Sequence, residues 1–579
     1  MSVAARRARS AYLNGIATVI LLVGCAHIAE VSPAKLFDAE SARAFGAFVG
    51  GMFPPDVSVK FLAVVGVAIV RTLAIAVAGT ALAALLALPL GYLATPSLFR
   101  RGVLVAADRQ GAASRARGAM SLTVRGLLRF LRAVPDVMWG VLFVVAIGLG
   151  SLAGTLALAL SYAGVLGRVY ADVFEAVDPG PVEALHATGA TRFGVFVTAI
   201  WPQAKRGVIA YTLYSFECCV RAASILGFIG AGGIGYEISV SMRLFNYREV
   251  TTLLGAYLVI VFASEVVSRG LRGRLTGAGA RAPSRASARA TRAVVFIGLA
   301  AATVASFAGV GIFSAEVSGA GPRAWRFASS LWPPDTSAPF LFSLPTPLLQ
   351  TVAIGVVGTA IGIVLGAALT LPSLFVSVAR AGGERAPVLG VVSNVARIVL
   401  AVLRSIPEML WVLLCIVAIG LGPFAGTIAI GLHTAGVLGK LYADAIEEVS
   451  PGPALALRAA GASAWARLLW AALPQARPTL TSYTLLRFEA NLRAATVVGL
   501  VGGGGIGLVL YNDIQLGFYD RVGALIVIVY GLVAASDWLT DRLRRASFTR
   551  SLARVADAPS IALLGTSSAH EGAARAASE

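Results

Sequence analysis

Charge is what this sequence has least of. Only 13% of its 579 residues are Asp, Glu, Lys or Arg, about half the share a soluble domain uses to cover its surface. With mean hydropathy at +0.81, that scarcity excludes an ordinary water-soluble globule. Cysteine is nearly missing too. Cys25, Cys218, Cys219 and Cys415 all stand in apolar segments without metal spacing, which excludes a disulfide framework and a metal site. Acidic residues are outnumbered, 29 against 48 basic. A net charge of +19 invites a nucleic-acid reading, but its distribution argues against one. Most Lys and Arg fall in alternate inter-span segments, densest in the Arg100 to Arg132 loop, the Arg269 to Arg292 linker and the tail from Arg542. That is the positive-inside bias of a membrane protein, and the partner it implies is lipid, not nucleic acid.

What the sequence has in quantity is apolar runs of about 20 residues, enough to cross ~30 Å of hydrocarbon. We read spans near 11–31, 62–94, 134–149, 151–176, 208–230 and 251–269. A second set lies near 292–314, 343–376, 405–420, 424–443, 480–502 and 522–540. The fold class expected is all-α, a polytopic helical membrane protein. Leu22-Val23-Gly24-Cys25 imitates a lipoprotein cleavage signal, but a plain first transmembrane helix is simpler.

The chain repeats itself. Arg132-Ala133-Val134-Pro135 matches Arg404-Ser405-Ile406-Pro407, and Gly232-Gly233-Ile234-Gly235 matches Gly504-Gly505-Ile506-Gly507, at a constant offset of 272 residues. An even number of spans per copy returns the chain to the starting side, so the copies are parallel repeats. The organisation expected is a first repeat at 1–270, a basic linker at 271–291, a second repeat at 292–545 and a disordered tail at 546–579. Both termini are expected on the cytoplasmic side.

Polar, glycine-jointed segments interrupt both copies at about 177–207 and 449–479, EALHATGATRFGVFVTAIWPQA in the first and LALRAAGASAWARLLWAALPQA in the second. The pattern predicts a short helix, a turn at Gly189 or Gly461, and a second helix closed by Pro202-Gln203 or Pro474-Gln475. A short helix projecting between spans suits a partner's groove. Glu183-Ala184, Gly189 six residues after the Glu, and Ile200-Trp201-Pro202 resemble the EAA signature of ABC-importer permeases (MetI-like). The RAVPD and RSIPE starts, AGVLGRVYAD and AGVLGKLYAD, and RFEANLRAATVVGLVGGGGIG resemble more closely the phosphonate-importer permeases, over roughly 60–270 and 340–545.

The resemblance implies an inner-membrane permease of a bacterium, here two copies fused, importing phosphonates or a related phosphorus oxyanion. It implies two copies of an ABC ATP-binding subunit docked on the coupling loops, and an extracytoplasmic substrate-binding protein. ATP and Mg would sit on those partners, with no cofactor on this chain. Glu183 has Leu455 as its counterpart, which puts equal docking in doubt. A secondary transporter with two six-span halves shares the span count, and phosphite or phosphate remain as substrates.

Inside the apolar spans, Glu217 and Arg221 stand four residues apart, as do Glu489 and Arg493. That spacing places each pair on one helix face, where mutual neutralisation lowers the cost of burial. The pairs either brace helices or set the electrostatics of an anion path. Gly436 to Leu441 approaches a phosphate loop but lacks its first glycine and its Ser or Thr, so no ATP site is expected here. His433 reads as a packed, hydrogen-bonded histidine. No nucleophile–base cluster suggests catalysis, and the chain reads as no enzyme.

Overall fold

The computed structural model of the chain describes residues 3–100, 112–276, 285–312, 315–381 and 387–556, and among them the regular structure is helical, without a strand. The first half runs α1 (Val3–Ile28), α2 (Ala39–Gly51), α3 (Val59–Ala94), α4 (Ala112–Ala133) and α5 (Asp136–Ile147). It continues with α6 (Ser151–Glu175), α7 (Pro179–Ala187), α8 (Trp201–Leu226), α9 (Ile234–Arg243) and α10 (Tyr247–Thr276). The second half repeats the series as α11 (Arg285–Val310), α12 (Ala315–Ser330), α13 (Pro345–Ala381), α14 (Pro387–Ser405) and α15 (Glu408–Ile419). Then follow α16 (Pro423–Glu447), α17 (Gly452–Ala459), α18 (Leu473–Val498), α19 (Ile506–Leu516) and α20 (Tyr519–Ala556). Each helix of the first half thus has its counterpart ten labels later.

Among the described residues, eight helices are long and apolar enough to cross a membrane, and three further helix pairs qualify if each bent pair is one span. Helix α1 carries a shorter apolar stretch, Gly15–Ile28. The third span of each half differs from expectation. Helix α5 has 12 residues, about 18 Å at 1.5 Å per residue, too short to cross alone. It continues Arg115–Ala133 after a bend of 88°, and α15 continues Gly390–Ser405 after 97°. The expected spans 134–149 and 405–420 are therefore the second arms of broken helices. Proline causes the break, because its ring pushes the preceding residue out of helical conformation. Helix α10 continues to Thr276 and α11 starts at Arg285, so of the expected linker only 277–284 lies outside the described residues. Residues 546–556 of the expected disordered tail belong to α20, and 557–579 lie outside the described residues.

Small residues let the long helices approach. A Cβ on Gly79 would meet Leu158 of α6, and one on Gly358 would meet Ile430 of α16. Contacts of this kind hold apolar helices together when burial from water is not available as a driving force. The first helices are exchanged between the halves. Helix α1 packs on α13, with Cys25 and Ala29 against Ala353 and Val357, while α11 packs on α3. The exchange repeats at the next elements, with α2 on α15 and α12 on α5. A shared core follows at the centre, where Val137, Met138 and Val141 join Ile506, Leu525 and Val529.

The glycine runs form tight bends between α8 and α9 and between α18 and α19. Gly232 and Gly233 adopt φ of +81° and +75°, and Gly504 and Gly505 adopt +76° and +74°, values that side chains with a Cβ disfavour. Each bend is pinned across the fold: Ile234 N–H donates to Thr72 Oγ1 at 2.9 Å, and Ile506 N–H donates to Thr351 Oγ1 at 2.8 Å.

Candidate functional site

The two polar segments fold alike. In the first, Asp178 caps α7 by accepting the Gly180 N–H at 3.0 Å. The helix ends where Gly189 turns with φ +82°, and Thr191 Oγ1 accepts the Gly194 N–H at 3.1 Å to start the next helix. In the second, Gly461 turns with φ +80° and Ser463 Oγ accepts the Ala466 N–H at 3.3 Å. Only a residue that tolerates the left-handed region serves at such a turn.

The expected closure of the second helix by proline does not occur. The helix starting at Arg192 runs on through Pro202 to Leu226, so the proline lies inside it. A wide turn at Phe196–Ile200 precedes the proline, with the Trp201 N–H bonded to Phe196 O. Leu468–Ala472 does the same before Pro474, with the Leu473 N–H bonded to Leu468 O. In a regular α-helix the proline ring would strike the carbonyl four residues back, and a π-type turn moves that carbonyl aside. Gln203 has a structural task here. Its Oε1 accepts the Asp178 N–H at 3.2 Å and its Nε2 donates to Ala199 O at 2.9 Å, tying the start of the loop to its end. Gln475 donates to Ala471 O at 2.9 Å and to Ser450 O at 3.5 Å.

The outward faces differ. Glu183 and Ala184 are exposed in the first loop. In the second, Leu455 is exposed, and Trp470 stands open where the first loop has Thr198, while Trp465 and Leu469 are exposed just as their counterparts Phe193 and Val197 are. Beneath Leu455, a groove of about 220 Å³ runs along Leu374, Ile446 and Ala472.

Only one of the two membrane charge pairs forms as its spacing suggests. In the second half, Arg493 Nη2 does bond Glu489 Oε1 at 3.0 Å. In the first, Glu217 turns instead to Arg272 of α10 at 2.9 Å. Arg221 meets only the Cys218 sulfur, at 3.9 Å, and no carboxylate among the described residues. The spacing put Glu217 within reach of Arg221, but a second guanidinium on α10 also reaches it, and sequence periodicity within one helix does not reveal that competitor. A third pair joins the halves: Arg132 of α4 bonds Asp537 of α20 at 2.8 Å.

Where the broken helices of the two halves meet, they border an open cavity of about 330 Å³. Asp136 and Glu408, the last residues of the RAVPD and RSIPE motifs, line it together with Arg132 and Arg493. Both carboxylates begin the second arm of a broken helix, where unpaired N–H groups favour negative charge. Sequence reading singled out the motifs but not these two carboxylates. Their signal was an acid directly after a helix-breaking proline in an apolar context. His433 is hydrogen-bonded as expected, with Nδ1 donating to Ile406 O at 2.9 Å and Nε2 at 3.5 Å from Glu408. Among the described residues no group of three His, Cys, Asp or Glu is arranged to hold a metal ion.

Comparison with known proteins adds the following. Residues 102–277 and 388–548 each match the family model described as the binding-protein-dependent transport system inner membrane component. The chain is 34% identical over 506 residues to a phosphate-import permease protein of Mycolicibacterium smegmatis, covering 86% of this chain and 88% of that one. It is 38% identical to a phosphite transport system permease protein of Stutzerimonas stutzeri, over 39% of this chain and 78% of that one. A putative cryptic phosphonate transport system permease protein of Escherichia coli is 45% identical over 20% of this chain and 97% of its own length. Among solved structures, a chain of the inward-facing methionine ABC transporter MetNI is 23% identical, with a TM-score of 0.33 over 37% of this chain and 99% of that one.

Proposed function

We propose that this chain, which belongs to the family of binding-protein-dependent transport system inner membrane components, carries a phosphorus oxyanion inward as both transmembrane halves of one ABC importer. It is a multi-span permease of the inner membrane and a transport subunit, not an enzyme. The observation that carries the substrate class is the similarity over 86% of the chain to a permease named for phosphate import. Relatives of its separate halves, named for phosphite and phosphonate, support the same class.

Energy comes from two ATP-binding subunits, with ATP and Mg bound there, acting on the loops at 177–207 and 449–479. An extracytoplasmic binding protein delivers the substrate, and both loops and both termini face the cytoplasm. Rocking of the halves about their shared core then exposes the cavity alternately to either side. The two built loops, with paired glycine turns and glutamine ties, support the docking reading over a secondary transporter.

Uptake of labelled phosphate, phosphite and methylphosphonate tests this in cells that lack their own carriers and express the chain with its ATPase and binding protein. Vanadate-sensitive uptake of at least one is expected. Uptake that survives vanadate but collapses with the proton gradient overturns the reading in favour of a secondary transporter. Orientation is tested with Thr191→Cys and Ser463→Cys in a background without the four native cysteines. Labelling of either by an impermeant thiol reagent from outside overturns it.

A further inference from the structure

The central cavity belongs unequally to the two halves. Its wall is mostly first-half side chains, and two exchanges set the halves apart there. Where the second half has His433 and Arg487, the first has Ser161 and Ser215, and both serines line the cavity. In the second half the imidazole stands 3.5 Å from Glu408 and the Arg487 guanidinium also acts on that carboxylate, so the acid faces polar groups of its own half. Asp136, its counterpart, has no such neighbour. It accepts backbone N–H groups, the Val137 N–H at 3.0 Å among them, and is in no salt bridge among the described residues. Arg493 spends one nitrogen on Glu489 and Arg132 spends one on Asp537. Each guanidinium has five N–H donors, so both retain donors at the cavity wall.

The cavity therefore presents hydrogen-bond donors from two arginines and a carboxylate acceptor from Asp136, around a space within the ~300–1,000 Å³ usual for small-molecule sites. A bare anion satisfies the arginines but is repelled by Asp136. A ligand satisfies all three only if it carries both anionic oxygens and a donor of its own.

We propose that this cavity is a transit site within the permease for a tetrahedral oxyanion bearing a P–OH group, with Arg493 and Arg132 holding the anionic oxygens and Asp136 accepting the hydroxyl hydrogen. The inference rests on the phosphorus-oxyanion reading and adds a selectivity filter to it. Hydrogen phosphate fits. Sulfate has the same shape and charge but no O–H, so it leaves Asp136 facing an anionic oxygen. Sites built to accept a ligand's hydroxyl discriminate strongly against the analogue that lacks it.

The test uses the full chain purified in detergent, with no binding protein present, and equilibrium dialysis against labelled orthophosphate at neutral pH. Saturable binding is expected, with sulfate displacing phosphate at least ~100-fold less well than unlabelled phosphate does. In Asp136→Asn, an amide that can also donate to sulfate, this preference should shrink by about tenfold or more. Ser161→His with Ser215→Arg, which gives the first half side chains that the second half accommodates, should abolish binding while the protein stays monodisperse.

Equal displacement by sulfate and phosphate, or no saturable binding by the folded wild-type chain, overturns the proposal. An unchanged preference in Asp136→Asn, or full binding in the double variant, also overturns it. If 2-aminoethylphosphonate binds and orthophosphate does not, the donor is an ammonium and the P–OH assignment is wrong. Failure here with phosphorus uptake intact in cells removes only the transit site. Absence of any phosphorus uptake removes the functional reading beneath it.

Discussion

The first half answers its buried Glu217 from a neighbouring helix, and the second answers the equivalent Glu489 along the same helix. Glu489 is met four residues on by Arg493, whereas Glu217 is met by Arg272 across the α8–α10 contact. Arg221 is thereby left without a carboxylate partner among the described residues. The backbones remain alike, down to the glycine φ values and the wide turns before Pro202 and Pro474. Duplication of a fold has kept the geometry of the chain in both copies while the chemistry presented at the centre diverged.

The largest effect expected is one in which the halves agree. A Cβ on Gly235 would run into Ser224 O, and one on Gly507 into Thr496 O, with rigid backbone on both sides. Gly235→Ala and Gly507→Ala should each cost more than ~4 kcal/mol and leave little monodisperse protein on gel filtration. A variant tolerated in one half alone would break the equivalence of the backbones.

Next comes the inequality of the charges. Arg493→Met leaves the buried Glu489 without its partner and Arg272→Met does the same to Glu217, each at about 3–5 kcal/mol. Arg221→Met removes no ion pair and should cost under ~1 kcal/mol. Thermal unfolding in detergent measures all three. Equal losses for Arg221→Met and Arg493→Met would mean that the pairing is the same in both halves after all.

The two polar loops at 177–207 and 449–479 sharpen the comparison further. Valine at Gly189 or Gly461 is forced into the left-handed region at about 1–2 kcal/mol, and both variants should lose substrate-stimulated ATP hydrolysis in the reconstituted complex. Glu183→Ala should reduce stimulation by removing a charge contact, while Leu455→Ala should act by loosening an apolar one, and only the first should become insensitive to salt. Identical salt responses would argue that the two loops dock by the same chemistry.

The smallest effect is at the loops before α3 and α13. The Ser58 N–H donated to Asp56 holds its carboxyl below the usual range, helped by the charge of Arg248, and the Ser337 N–H does the same for Asp335, where Arg521 adds a hydrogen bond as well as its charge. A depressed pKa gives stability that is present above the ordinary carboxylate value and lost as pH falls through the lowered one. Asp335→Asn should therefore flatten the acid side of the melting-temperature profile more than Asp56→Asn does.

Much of this was legible in the sequence. Hydrophobic run length gave most of the spans, and the constant offset gave the repeat, because both are properties of the chain alone. The glycine turns at 189 and 461 were legible for the same reason. What escaped depends on which helix lies beside which. Asp136 and Glu408 were visible as letters, yet nothing local said that they face each other's half across a cavity. The choice of Arg272 over Arg221 by Glu217 is likewise tertiary. Pro202 misled because proline usually ends a helix, and the wide turn that accommodates it has no sequence code of its own.

The exchange of first helices has a consequence in time. Helix α1 leaves the ribosome about 300 residues before α13, the helix it packs against. At ~5–20 residues per second, α1 waits on the order of 15–60 s among lipids before its seat exists. Its exposed Val19, Ile20, Leu21 and Val23 are suited to that interval, since lipid is an acceptable neighbour for them from the moment of insertion. The second half, whose α11 emerges after α3 is already in place, has no such wait, so assembly of this chain is ordered by the direction of translation.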